Sequence, residues 1–131
     1  MPFTHLTPTT PLHEVKAQLF KALGHPIRVR LLELLIPGER AVADLLTDTG
    51  LEASLASQHL AVLRRTGLVT ARREGNTVTY RLADPSVVDL LTAARTFLAT
   101  TLAGTQGLLS ELDRPLGAPA EGSQPSTTTP R

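Results

Sequence analysis

Between Gly67 and Pro85 the chain changes its hydrophobic period, and that change constrains its fold more than any other feature. Before Gly67, apolar residues recur at helical spacing, with Ala56, Leu60 and Leu63 at i, i+4 and i+7. After it, Val69 and Ala71, then Val78, Tyr80 and Leu82, alternate with polar residues on either side of Gly75-Asn76, a pair suited to a tight hairpin turn. Helical period resumes at Asp84-Pro85, a capping residue followed by proline at the first helical position. Val87, Leu90, Leu91, Ala94, Leu98 and Leu102 then run down one side of a long, apolar helix.

Upstream, punctuation divides the chain into four shorter helices. Thr10-Pro11 has the form of a cap followed by proline, and Val15, Leu19, Ala22 and Leu23 carry the first helix to Gly24. His25-Pro26 starts the second, whose apolar face is Ile27, Leu31, Leu34 and Leu35, with Arg28 and Arg30 off that face, until Pro37-Gly38 stops it. A third covers about Arg40 to Thr49 through Val42, Leu45 and Leu46, closed by Gly50, and the fourth ends at Gly67. At the far end Gly104 and Gly107 each cost about 1 kcal/mol relative to Ala, which frays the last helix before Leu108, Leu109 and Leu112.

A chain of 131 residues predicts one domain, here residues 10–112. Residues 1–9 read as a flexible lead, and residues 113–131 as a disordered tail too polar to offset its ordering entropy. The expected fold is mainly α with a small β-hairpin, in the order α-α-α-α-β-β-α. Two short helices joined by a tight turn, followed by a hairpin, are the layout of a winged helix-turn-helix, whose second helix enters the major groove of DNA.

The chemistry on that second helix fits the layout. Its core face leaves Ser54, Ser57, Gln58, Ala61, Arg64 and Arg65 pointing outward. Small residues at the front let the backbone approach base edges, and Ser and Gln can exchange hydrogen bonds with bases. Arg64 and Arg65 at the rear, with Arg72, Arg73 and Asn76 on the hairpin, can meet phosphates or a minor groove. The formal net charge of the whole chain is only +1, yet residues 54–82 hold an excess of four positive charges.

Other chemistries are poorly served. There is no cysteine, which removes disulfides, thiolate metal sites and cysteine nucleophiles. The histidines are His5, His13, His25 and His59, without an HxxxH pair. A site joining His5 and His13 to Asp84, Asp89 or Glu111 across a dimer is the remaining metal candidate; the expectation is no metal and no cofactor. His25 reads as a cap or packing residue, and His59, on the face of Ala56, Leu60 and Leu63, as half-buried core. Ser57 and His59 are two apart on a helix and face different directions, so no hydrolase pair exists and the chain is expected not to be an enzyme. No leader or membrane span is evident, and a cytoplasmic location is expected.

FKALGHPIRVRLLELL, VADLL, SQHLAVLRRTGLV and RREGNTVTYRL, in that order, resemble the ArsR/SmtB family of bacterial winged-helix repressors over roughly residues 12 to 103. The LEAS and SQ-L-x-VLRR pieces resemble an actinobacterial branch. The resemblance implies a homodimeric, autoregulating repressor, with first and last helices at the dimer interface and DNA release triggered by a ligand. It places Ser54, Ser57 and Gln58 at the family's DNA-reading positions and Arg72 and Arg73 on its wing. Apolar stripes on the first and last helices, surplus to a small core, agree with a second copy docking through Val15, Leu19, Leu23, Val87, Leu91, Ala94, Leu98 and Leu102. Two departures stand out: Glu52 occupies a cap position often held by Ser, and the family's metal-sensing residues are missing. The expected partner is double-stranded DNA, read as an inverted repeat near the protein's own promoter, with an effector the sequence does not name. The alternative is a winged-helix protein-interaction module without sequence-specific DNA binding.

Overall fold

The computed structural model describes residues 7–102 and 111–117. Five helices run α1 (Leu12–Leu23), α2 (Pro26–Leu34), α3 (Val42–Thr49), α4 (Ala53–Arg65) and α5 (Pro85–Thr101), with strands β1 (Arg40–Ala41), β2 (Val69–Glu74) and β3 (Thr77–Leu82). The architecture is a winged helix-turn-helix, and it positions α4 by packing on two sides.

The core is built around α2. Leu31, Leu32, Leu34 and Leu35 are essentially sealed from solvent, and they cluster with Leu45 of α3, Leu60 and Leu63 of α4, Leu68 and Val69. His25 caps α2, its Nδ1 accepting from the Ile27 amide at 3.1 Å, while Pro26 occupies the first turn where no amide is needed. The expected Thr10 cap on α1 does not form. Thr10 Oγ1 instead accepts from the Thr7 amide at 2.8 Å, and Pro11 takes the cap position with an extended backbone.

α4 ends in a Schellman motif. The Leu68 amide bonds the Leu63 carbonyl at 2.9 Å and the Gly67 amide bonds the Arg64 carbonyl at 3.1 Å. Gly67 has φ +78°, a left-handed conformation that costs a side-chain-bearing residue about 1–2 kcal/mol. The motif redirects the chain from α4 straight into β2. β2 and β3 then pair from Val69↔Leu82 to Glu74↔Thr77 around Gly75-Asn76, as alternation predicts. The sheet nevertheless has three strands, in the order β1-β3-β2. Arg40 and Ala41, expected as the first residues of α3, pair with Tyr80 and Thr79 instead. Two residues are too few to show a period, and their partner lies far along the chain.

Asp84 caps α5, accepting from the Ser86 amide at 2.8 Å. The predicted apolar side of α5 is divided. Val87 and Leu91, expected at a dimer interface, are buried in the protomer's own core, because the first turns of α5 lie against it. Further along, Leu98 is 42% exposed and Phe97 66% exposed. Residues 111–117 return to the body: Leu116 packs on the core, and a Cβ at Gly117 would meet the Glu33 carbonyl oxygen at 2.7 Å. The packed region thus extends past the boundary expected at residue 112. Residues 1–6, Gly104, Gly107, Leu108, Leu109 and the rest of the predicted tail lie outside the described residues.

Leu63 is fully buried where α4, its terminal motif and the core meet. Leu63→Ala is expected to cost about 2–5 kcal/mol, read as a lower urea midpoint at fixed protein concentration.

Candidate nucleic-acid interface

The inner face of α4 fixes what its outer face presents. Ala56, Leu60 and Leu63 are each no more than 1% exposed, which leaves no freedom for the helix to roll. Ser54, Ser57 and Gln58 are consequently exposed at the front, and Arg64 and Arg65 at the rear. Glu52 sits at the N-cap without a side-chain cap bond, so the first amides of α4 are not covered by that side chain. Ala61, Arg64 and Arg65 share one open groove with Thr70, Ala71 and Tyr80 of the hairpin. Arg73 and Asn76 are exposed on the hairpin beyond it.

Arg72 is differently placed from its neighbour. It makes a bidentate pair with Glu39, at 2.9 and 3.2 Å, and a second contact with Glu74 at 3.5 Å. The Arg72 hydrogen bond holds the Glu39 carboxyl below its usual range, and the same bond raises the guanidinium. Arg72 is exposed and on the wing, as predicted, but it faces a carboxylate on the loop after α2. That pairing was not legible in the sequence, since Glu39 is 33 residues away.

A second arrangement lies behind the recognition helix. Arg28, read from the sequence as simply off the apolar face, turns back to donate to the carbonyls of Ala22 and Lys21, covering the end of α1. Its Nη1 lies 3.3 Å from His59 Nδ1, where the guanidinium donates and the imidazole accepts. The His59 ring also packs on His25, centroids 4.3 Å apart. One arginine and two histidines therefore tie α1, the α2 cap and α4 together. His59 is buried, 9% exposed, more fully than expected, and burial followed by the His25 and Arg28 charges lowers its pKa.

His13 is exposed on α1, and His5 lies outside the described residues. Among the described residues no three metal-ligating side chains converge. No helix among them is long and apolar enough to cross a membrane.

Residues 25–71 match the family model described as bacterial regulatory protein, arsR family. The chain is 48% identical over 103 residues to the HTH-type transcriptional regulator Rv0081 of Mycobacterium tuberculosis, covering 78% of this chain and 90% of that one. The crystal structure of Rv0081 superposes with a TM-score of 0.67 at 50% identity, covering 72% of this chain and 96% of that one. The homodimeric winged helix-turn-helix DNA-binding domain Mb0332 of Mycobacterium bovis, solved by NMR, gives a TM-score of 0.66 at 33% identity, covering 76% and 97%. A Streptomyces lividans protein named as a probable mercury resistance operon repressor is 35% identical over 111 residues, covering 85% of this chain and 83% of that one.

The His59 environment has a consequence for stability. A histidine whose pKa is lower folded than unfolded makes the unfolded state bind more protons, so stability rises with pH across that interval. The contribution is complete above about pH 6.5 and is lost as pH falls through the lower folded value. Glu33, raised chiefly by burial, acts oppositely in the acid range. The difference between wild type and His59→Leu isolates the histidine: wild type should lose more melting temperature than the variant between pH 7 and pH 5.

Proposed function

The chain belongs to the arsR family of bacterial regulatory proteins, and from that premise we propose that it is a homodimeric repressor reading an inverted repeat near its own promoter. The observation that carries this reading is the outer face of α4. Ser54, Ser57 and Gln58 stand exposed at the front of a helix whose inner face is sealed in the core. Gln58 and the serines supply donors and acceptors for base edges, and the short side chains of the serines let the helix backbone enter the groove.

Arg64, Arg65 and Arg73 supply phosphate contacts that set the register of α4 without reading sequence. Arg72 joins them only by exchanging Glu39 for a phosphate. One α4 per chain reads a short half-site, and two copies related by a two-fold axis read two half-sites about one helical turn apart. The homodimeric state of the Mycobacterium bovis domain supports that assembly. The exposed apolar residues Leu12 and Phe20 of α1 and Phe97 and Leu98 of α5 supply a surface for it, with Ala94 beside them.

The Streptomyces relative is named for mercury resistance. This chain has no cysteine, so a soft-metal site of thiolates cannot be built from its residues. Any signal that releases this repressor is therefore something other than a metal held by thiolates.

The test is fluorescence anisotropy on a duplex selected from a random pool, against a scrambled duplex, over a salt series. Gln58→Ala should cost about 1–3 kcal/mol on the selected duplex only, whereas Arg73→Ala should weaken both duplexes and lower the salt slope by about 0.9. Equal loss on both duplexes for Gln58→Ala would remove it from base reading. Glu39→Gln, which leaves Arg72 only its Glu74 contact at 3.5 Å, should tighten both duplexes and steepen the slope, by at most about 0.9. An unchanged slope would mean that Arg72 remains on its own chain.

A further inference from the structure

Away from the α4 face, α1, α2 and α5 border a cavity of about 450 Å³ that is open to solvent and walled on one side by residues 111–117. Protein interiors are close-packed, and a space of this size falls within the roughly 300–1,000 Å³ of small-molecule sites. Its walls are mainly apolar, with Val29 of α2, Leu98 of α5 and Leu102 at the end of α5 among them. The charged groups around it are not equivalent. Glu33 pairs with Arg30 at 3.9 Å, and Glu111 with Arg114 at 2.6 Å. Arg95 donates to the Leu112 backbone carbonyl and acts on the Glu33 carboxylate at longer range, and among the described residues it has no carboxylate within ion-pair distance. A guanidinium with five donors retains several after one such bond.

We propose that this cavity is the effector site, and that it takes an amphipathic monocarboxylic acid whose apolar tail lies between Val29, Leu98 and Leu102 and whose carboxylate pairs with Arg95. This rests on the DNA-reading function above, to which it assigns the signal. The charge sign selects the class of ligand: the cation without a carboxylate at ion-pair distance favours an anionic head, and the apolar walls favour a hydrocarbon or single-ring body. The location supplies the coupling. Phe20 and Leu98 line the cavity and are also exposed on the face where a second copy docks. A ligand that spreads α5 from α2 alters how two copies meet and hence the spacing of their reading helices, and it biases the assembly only by binding one arrangement better than the other. Arg95 also anchors the segment 111–117 through Leu112, so a carboxylate arriving there competes with or reinforces that closure.

The experiment is calorimetric titration of the full chain with octanoate and, as the charge-reversed control, octylammonium, with operator anisotropy on the same samples. Octanoate is expected to bind and to lower operator affinity, and octylammonium is not. Arg95→Gln should weaken octanoate at least about 10-fold, with Arg95→Lys retaining part of the binding. Val29→Phe, which adds bulk to the cavity wall and leaves the Arg95 side chain unaltered, should weaken octanoate binding in protein that still prefers its operator to a scrambled duplex. Equal binding of the two amphiphiles, or octanoate affinity unchanged in Arg95→Gln, overturns the assignment. So does the absence of octanoate binding at millimolar concentration by protein that still prefers its operator, as when a helix of the second copy fills the space. Loss of operator preference in ligand-free wild type would instead overturn the DNA-reading function.

Discussion

The seating of α4 on α2 is the contact on which the rest of the structure depends. Ala56, Leu60 and Leu63 enter a core made chiefly of Leu31, Leu32, Leu34 and Leu35, and burying a leucine of this kind contributes about 1.5–3 kcal/mol. Because the inner face is sealed, the rotation of α4 is fixed, and the outward set of Ser54, Ser57 and Gln58 follows without further instruction. The Schellman turn at Gly67 then fixes the direction in which the hairpin leaves the helix. α4 and the hairpin are thereby joined through one tight turn and a shared core.

Charge is distributed by task within a nearly neutral chain. Arg28 is structural, covering the carbonyl end of α1 and bonding His59. Arg40 pairs with Asp48, tying β1 to α3. Arg72 is held by Glu39, which leaves Arg64, Arg65 and Arg73 as the arginines predicted for DNA that have no carboxylate at ion-pair distance among the described residues. The positive excess of residues 54–82 is thus tempered by a glutamate outside that segment.

Much of this was legible in the sequence for a physical reason: local period and local caps report local structure. The α4 face, the Gly75-Asn76 hairpin, the His25 cap and the Asp84-Pro85 start are set by neighbours within a turn or two. What was not legible lies mostly in contacts between distant segments. β1 borrows its partner from β3, Arg28 reaches His59 across 31 residues, and Arg72 reaches Glu39 across 33. The helical face of α5 was read correctly as apolar, but periodicity alone does not say where along a face the core ends. Val87 and Leu91 fall on the inner part, and Leu98 on the outer. Thr10 was a sound cap by residue type, outcompeted by a turn with Thr7.

Because the chain contains no cysteine, a single one can be placed at will and charged with an iron chelate that cuts nearby DNA. The most direct measurement is cleavage of the selected operator by the chelate at Ser57→Cys, compared with the chelate at Lys16→Cys on the exposed side of α1. Two symmetric clusters of cuts, their centres separated by about one helical turn and absent from the Lys16→Cys control, are the predicted result. A single cluster, or a pattern no different from the control, would contradict a pair of α4 helices reading an inverted repeat.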